Sequence, residues 1–283
     1  MIADTRTYLR RKMTNRLMVG LCAFATLTAV GILLMVVGYT LIKGIAYLNL
    51  DFVTQTAQPL GETGGGMRHE IIGTLILVTL ASALGIPVGL LAGTYLSEFG
   101  GGRTGFVIRL VADVLTGVPS VVVGIFVYVL LVRPMGTFSA LSGGVALAII
   151  MLPVVARTTE EMMKLVPATY REAALALGIA RWRMIVSVVM PGAMIGIVTG
   201  SMLAVARIAG ETAPLIFTAL GNRFGYAGLD QPIAAMPLQI WRYAVSAYDT
   251  WHQQAWAASF LLVMLVFMIS VLVRWITASR YGR

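Results

Sequence analysis

The chain has a single cysteine, Cys22, in 283 residues. One thiol excludes an internal disulfide and any cysteine-based metal cluster. The apolar run around Cys22 points to a packed side chain rather than a reactive one. Charge is scarce too: only 12% of residues are charged, with 12 Asp and Glu against 21 Lys and Arg. Soluble domains carry about 25% charged residues, which argues against a water-soluble globular fold. The two histidines, His69 and His252, are far apart and lack metal-ligand spacing. His69-Glu70-Ile71-Ile72 is not H-E-x-x-H, so both read as solvated surface residues. None of Lys12, Lys43 and Lys164 follows a glycine, and a nucleotide-binding P-loop needs Gly-Lys-Ser/Thr.

Apolar sequence fills the space, with 58% hydrophobic residues, 16 Met and 30 Gly. Such a composition suits apolar helices that pack through small residues. A bilayer-spanning helix needs about 20 mainly apolar residues. Uncharged runs of that length predict six spans, at 17–42, 71–97, 105–132, 139–156, 184–206 and 255–273. The fold class is an all-α polytopic membrane protein. The chain divides into a basic N-terminus 1–16, a first span 17–42, an external loop 43–70, a core of five spans over 71–277 and a tail 278–283. The first apolar run is longer than the ~7–15 residues of a cleaved signal, and so reads as a retained anchor.

Six spans put both termini on one side. With that side cytoplasmic, 15 of the 21 basic residues fall inside and 6 outside, the asymmetry of the positive-inside rule. The outer six are Lys43, Arg68, Arg133, Arg207, Arg223 and Arg242. The basic balance thus reports topology in a cell membrane and membrane lipid as surroundings, and no nucleic-acid partner is expected. The external segments include the run 61–66, GETGGG, and the stretch 212–252 with Trp241, Tyr243, Tyr248 and Trp251, close to Trp256. Those aromatics read as anchors at the lipid interface.

The stretch from Thr158 to Pro191 joins spans four and five on the cytoplasmic side. Pro167 stops one helix, Thr169 has a hydroxyl that can cap the next, and Gly178 permits a left-handed end. The helix predicted over 168–178 is too short to be stable alone and needs something to pack on. Its residues Glu172-Ala173-Ala174, Gly178, Val188, Met190 and Pro191 follow E-A-A-x3-G-x9-I-x-L-P, with Val188 for Ile and Met190 for Leu. This segment resembles the EAA loop of ABC importer permeases. The resemblance implies the MetI-like permease fold with a cytoplasmic coupling helix, in which the first span wraps a partner subunit. It also implies that Tyr170, Arg171, Glu172, Ala173, Ala174 and Gly178 couple to an ATPase, with Glu172 meeting a polar group there and the small alanines allowing close approach. No catalytic or metal site and no cofactor is expected on this chain; ATP and Mg would bind the ATPase.

Further stretches narrow the substrate. Ala206-Arg207-Ile208-Ala209-Gly210-Glu211-Thr212-Ala213-Pro214 ends span five, Leu115–Gly124 reads LTGVPSVVVG, and GGGMRHEIIGTL opens span two. Together these are similar to phosphate permeases of the PstA type. That likeness implies a homologous second permease (PstC type), two ATPase subunits (PstB type) and an external phosphate-binding protein (PstS type). Arg207 and Glu211 lie four apart on one helical face. Arg carries a planar fork matched to phosphate oxygens, and Glu211 would position it; alternatively Arg207 snorkels to the interface. Pro119 removes a backbone donor near Thr116 and Gly117, so freed N–H groups and the Ser120 hydroxyl either face an anion or mark a packing kink. The expected pathway residues are Arg207, Glu211, Thr212, Ser120 and Thr116. Asp113 is expected to pair with an arginine, Arg109 being four residues away.

Three other functions fit less well. Another oxyanion, molybdate or sulfate, would use the same fork. A gradient-driven secondary transporter usually shows an inverted repeat, and none is visible. A membrane enzyme would need a titratable constellation at span depth, which the spans do not offer.

Overall fold

The computed structural model describes residues 5–58, 64–222 and 224–281. Residues 61–63 of the glycine-rich run, Arg223, Arg283 and the side chains of Arg6 and Arg280 lie outside what is described. In chain order the helices are α1 (Thr5–Ile45), α2 (Leu50–Thr54), α3 (Arg68–Phe99), α4 (Arg103–Gly117), α5 (Ser120–Val127), α6 (Arg133–Met135), α7 (Ala140–Lys164), α8 (Ala168–Ala176), α9 (Arg181–Met184), α10 (Met190–Ala209), α11 (Ala213–Thr218), α12 (Met236–Ala244) and α13 (Asp249–Tyr281). Among the described residues, strand pairing is limited to an isolated bridge between Leu220 and Ile233.

Among the described residues, five helical stretches are long and apolar enough to cross a membrane: 7–45, 68–99, 140–164, 181–209 and 249–279. The third predicted span is not one straight helix. It is α4 followed by α5 and α6, bent by 104° at Val118–Pro119. Pro119 supplies no N–H and Val118 turns to an extended ψ of 130°, the conformation that a following proline imposes. The path of the chain makes the bent pair a sixth crossing. Gly85, Gly89 and Gly93 of α3 face Met151, Val155 and Thr159 of α7 in the same order, so α3 and α7 are parallel. The chain between them must therefore return to the end where α3 began.

The α7 helix is the hub, because 67% of its apolar window is buried against 39% or less for the other long helices. Glycines four apart let two neighbours approach it. Gly85, Gly89 and Gly93 line α3, while Gly192, Gly196 and Gly200 of α10 face Val166, Met162 and Thr158 in reverse order, an antiparallel pair. Without a hydrophobic drive between helices in lipid, such close approach supplies the dispersion contacts that hold them. The main core gathers Leu77, Leu147, Met151, Val155, Ile208 and Leu215.

Two helices contain a wide turn. Residues Tyr128–Val132 and Ile185–Val189 are π-helical, so the Arg133 N–H reaches the Tyr128 carbonyl and the Met190 N–H reaches that of Ile185. Pro134 and Pro191 each follow the end of the wide turn by two residues. A proline ring crowds the carbonyl four residues back, and widening the preceding turn by one residue relieves that crowding.

Several expectations are corrected by the packing. Thr169 does not cap the short helix: α8 begins at Ala168, with Pro167, two residues before Thr169, at the cap position and no side-chain cap bond. Cys22 is exposed on α1 rather than packed. Tyr243 is only 2% exposed, and its ring lies 4.7 Å from that of Trp251; this pair belongs to a small core with Phe52 and Met67, not to a lipid belt. His69 and His252 are half-buried rather than solvated. The His252 Nε2 lies 2.8 Å from the Ser246 carbonyl oxygen.

Candidate functional site

Two groups of predicted residues occupy opposite ends of α10. At its C-terminal end, Arg207 sits in the last turn. Its side chain is 49% exposed, and its Nε lies 3.8 Å from Glu211 Oε1, a loose pair; α10 ends at Ala209, so Glu211 approaches from beyond the helix end rather than from the same helical face. Leu203, Arg207 and Gly210 form an exposed stripe on this helix. Thr212 follows Glu211 and its hydroxyl donates to the Pro237 carbonyl at 3.4 Å. The α11 helix then packs on α5, where a side chain on Gly124 would meet the Pro214 backbone at 2.7 Å. Ser120 opens α5 just beyond the break, half-buried, and its hydroxyl has no hydrogen-bond partner among the described residues. Thr116 differs: its hydroxyl is committed to the Ala112 carbonyl at 2.9 Å inside α4. The break thus sets a helix start, with its free N–H groups, beside the segment that follows Arg207.

At the other end lies α8. Gly178 has φ of +74°, and the N–H of Ile179 reaches back to the Ala174 carbonyl at 3.1 Å, a left-handed helix stop as the sequence predicts. Tyr170, Glu172 and Ala173 are exposed, and Glu172 forms no ion pair among the described residues. Ala174 instead faces inward, 5% exposed, in a cluster with Met184 and Val189. Its smallness serves packing within the chain. Arg171 also turns inward, onto Glu98 at 2.9 Å.

The expected Arg109–Asp113 pair does not form. Asp113 pairs with Arg157 at 3.2 Å, while Arg109 reaches the buried Glu160 at 2.7 Å and donates to the carbonyls of Gly100 and Leu96. Glu160 also receives Arg157 at 3.1 Å and Lys164. Glu160 takes Arg109 from Asp113, four residues away, because a 1%-exposed carboxylate must be paired and fully hydrogen-bonded. The sequence reading missed Glu98 and Glu160. Their signal was the rarity of acidic residues beside apolar runs, where an ionisable group requires a partner.

A family model described as "Binding-protein-dependent transport system inner membrane component" matches residues 85–279. The chain belongs to this family of transport permeases. It is similar over nearly its whole length to the phosphate transport system permease protein PstA of Yersinia pestis, with 41% identity over 95% of this chain and 92% of that one. A probable PstA of Methanocaldococcus jannaschii is 42% identical over 79% of this chain and 78% of its own. The fold is shared with a solved structure of the MetNI methionine ABC transporter, at TM-score 0.61 and 17% identity, covering 75% of this chain and 96% of that chain. The chain is accordingly a multi-pass membrane permease of a binding-protein-dependent transport system, helical in its regular structure among the described residues.

Proposed function

We propose that this chain is the transmembrane permease subunit of an ATP-driven phosphate importer, forming half of the pathway. The observation that carries the reading is Arg207, a half-exposed guanidinium on the helix whose other end adjoins α8. Its fork matches phosphate oxygens, and the relatives named as phosphate permeases support that substrate. Glu211 restrains Arg207 and weakens its hold on the anion, so that phosphate can leave. The free N–H groups at Ser120 and the Thr212 hydroxyl line the same route; Thr116, spent within its helix, shapes the break.

The exposed Arg207 faces a second, homologous permease. Tyr170, Glu172 and Ala173 dock on one of two ATPase subunits, which bind ATP and Mg, and an external binding protein delivers phosphate. Both termini lie in the cytoplasm. Closure of the ATPases draws the coupling helices together and opens the pathway outward.

The test is radiolabelled phosphate uptake by proteoliposomes that hold the assembled complex, binding protein outside and ATP inside. Wild type takes up phosphate only with ATP, and sulfate and molybdate do not compete. Arg207→Ala assembles normally but does not transport. Normal uptake by that variant removes Arg207 from the pathway, and absent uptake by wild type removes phosphate.

A further inference from the structure

We propose that Arg171 is a positioning residue, the joint that ties the coupling helix to α3 and α7, rather than part of the surface offered to the ATPase. The inference rests on the reading that α8 docks on an ATPase. A single guanidinium holds three segments. Its Nε and Nη2 donate to Glu98 Oε1 at 3.2 and 2.9 Å, Nη1 to the Val166 carbonyl at 2.6 Å and Nη2 to that of Met163 at 2.8 Å. Glu98 lies in the last turn of α3, Met163 in the last turn of α7, where its carbonyl also accepts from the Val166 N–H, and Val166 follows just beyond that helix end. A helix C-terminus favours a cation. Arginine alone offers a rigid planar fork that can serve a carboxylate and two carbonyls at once.

The far side of α8 returns to the same place. Arg181, opening α9, donates to the Glu98 backbone carbonyl at 2.6 Å, and its guanidinium sits 4.4 Å over the Phe99 ring. Both flanks of the coupling segment therefore converge on the end of α3. The side chains of Arg171 and Glu98 are 20% and 5% exposed, whereas Tyr170, Leu175 and Leu177 are 59%, 49% and 80% exposed. The docking face and the anchoring face of α8 are separate. A push on the docking face passes through Arg171 into α3 and α7, which the Gly85, Gly89 and Gly93 contacts bind together. Without it, the load falls on connectors that contain Gly178.

The experiment uses the whole complex in proteoliposomes and measures phosphate moved per ATP hydrolysed for wild type, Arg171→Ala, Arg171→Lys and Glu98→Gln. Hydrogen exchange of residues 168–177 is measured on the same full-length chains. Arg171→Ala retains the ATPase and its hydrolysis, while phosphate per ATP falls about tenfold, the scale of a lost charged hydrogen bond. Exchange in α8 rises about tenfold as well. Arg171→Lys and Glu98→Gln, which keep part of the network, fall between. An unchanged ratio overturns the proposal whatever the exchange shows, as does a lowered ratio with unchanged exchange. Loss of the bound ATPase, or a proportional loss of hydrolysis and transport, makes Arg171 a docking or folding residue and overturns it too. If wild type lacks ATP-dependent phosphate uptake, the function reading fails, and α8 exchange in Arg171→Ala alone decides the joint.

Discussion

Alanine at each glycine of the α3–α7 seam tests the packing most directly. A methyl on Gly93 would overlap the Ala156 carbonyl oxygen and sit 2.6 Å from Thr159 Cβ. Neither can move without shifting α7, and overpacking of this kind costs about 1–3 kcal/mol. Replacing a helical glycine by alanine returns about 0.5–1 kcal/mol of backbone entropy, so Gly93→Ala is destabilised on balance by ~1–2 kcal/mol. Gly89→Ala meets Val155 Cβ at 2.8 Å and falls somewhat below that. Gly85→Ala meets the flexible end of Met151, with Sδ at 3.1 Å, and comes out near neutral. Gly20, Gly31 and Gly38 of α1 have nothing within 4 Å, and their alanine variants are neutral or slightly more stable. The assay is reversible unfolding in mixed micelles, with the six variants ranked against wild type. A Gly93→Ala chain as stable as Gly20→Ala would refute the seam.

Other perturbations follow from the same contacts. Glu160→Ala takes the carboxylate from Arg109 and Lys164, leaves Arg157 with Asp113 and lowers stability by about 1.5–3 kcal/mol; a thermal midpoint in detergent equal to wild type would count against the hub. Glu160→Gln, which keeps an acceptor, loses less by the same measurement. Tyr243→Ala empties a 2%-exposed site against Trp251 and costs about 3–5 kcal/mol, read as an unfolding shift that Trp241→Ala, at a 48%-exposed position, does not share.

Much of the architecture is written locally in the sequence. Six apolar runs, a stop at Pro167 and a left-handed end at Gly178 each depend on a few consecutive residues, and the structure carries all of them. The two ends of the working site are less legible. Pro119 announces a disruption, but its size, a 104° break, depends on α11 packing against Gly124. Asp113 chooses Arg157 over a neighbour four residues away because Glu160 claims Arg109 across 51 residues of chain. Arg171 and Glu98 are 73 apart. Such pairings are settled by which helix ends meet, and that information lies in the packing of α3 along α7. Ala174 illustrates the same limit, since a small residue looks alike whether it admits a partner protein or the chain's own core.

The wide turn ahead of Pro191 changes what a helical wheel of this region means. At 3.6 residues per turn each residue of an α-helix turns it by about 100°, and the wide turn takes up one residue without that rotation. From Met184 onward, positions drawn on an unbroken α-helix are therefore out of phase with those in the folded chain, and the stripe of Leu203, Arg207 and Gly210 points where it does because of that added step. A chain of unchanged length that kept an ordinary α-turn through 185–189, with alanine at 191, would be no less helical. It would turn Arg207 about 100° aside, so the aim of that guanidinium is set some twenty residues before it, by a count of residues.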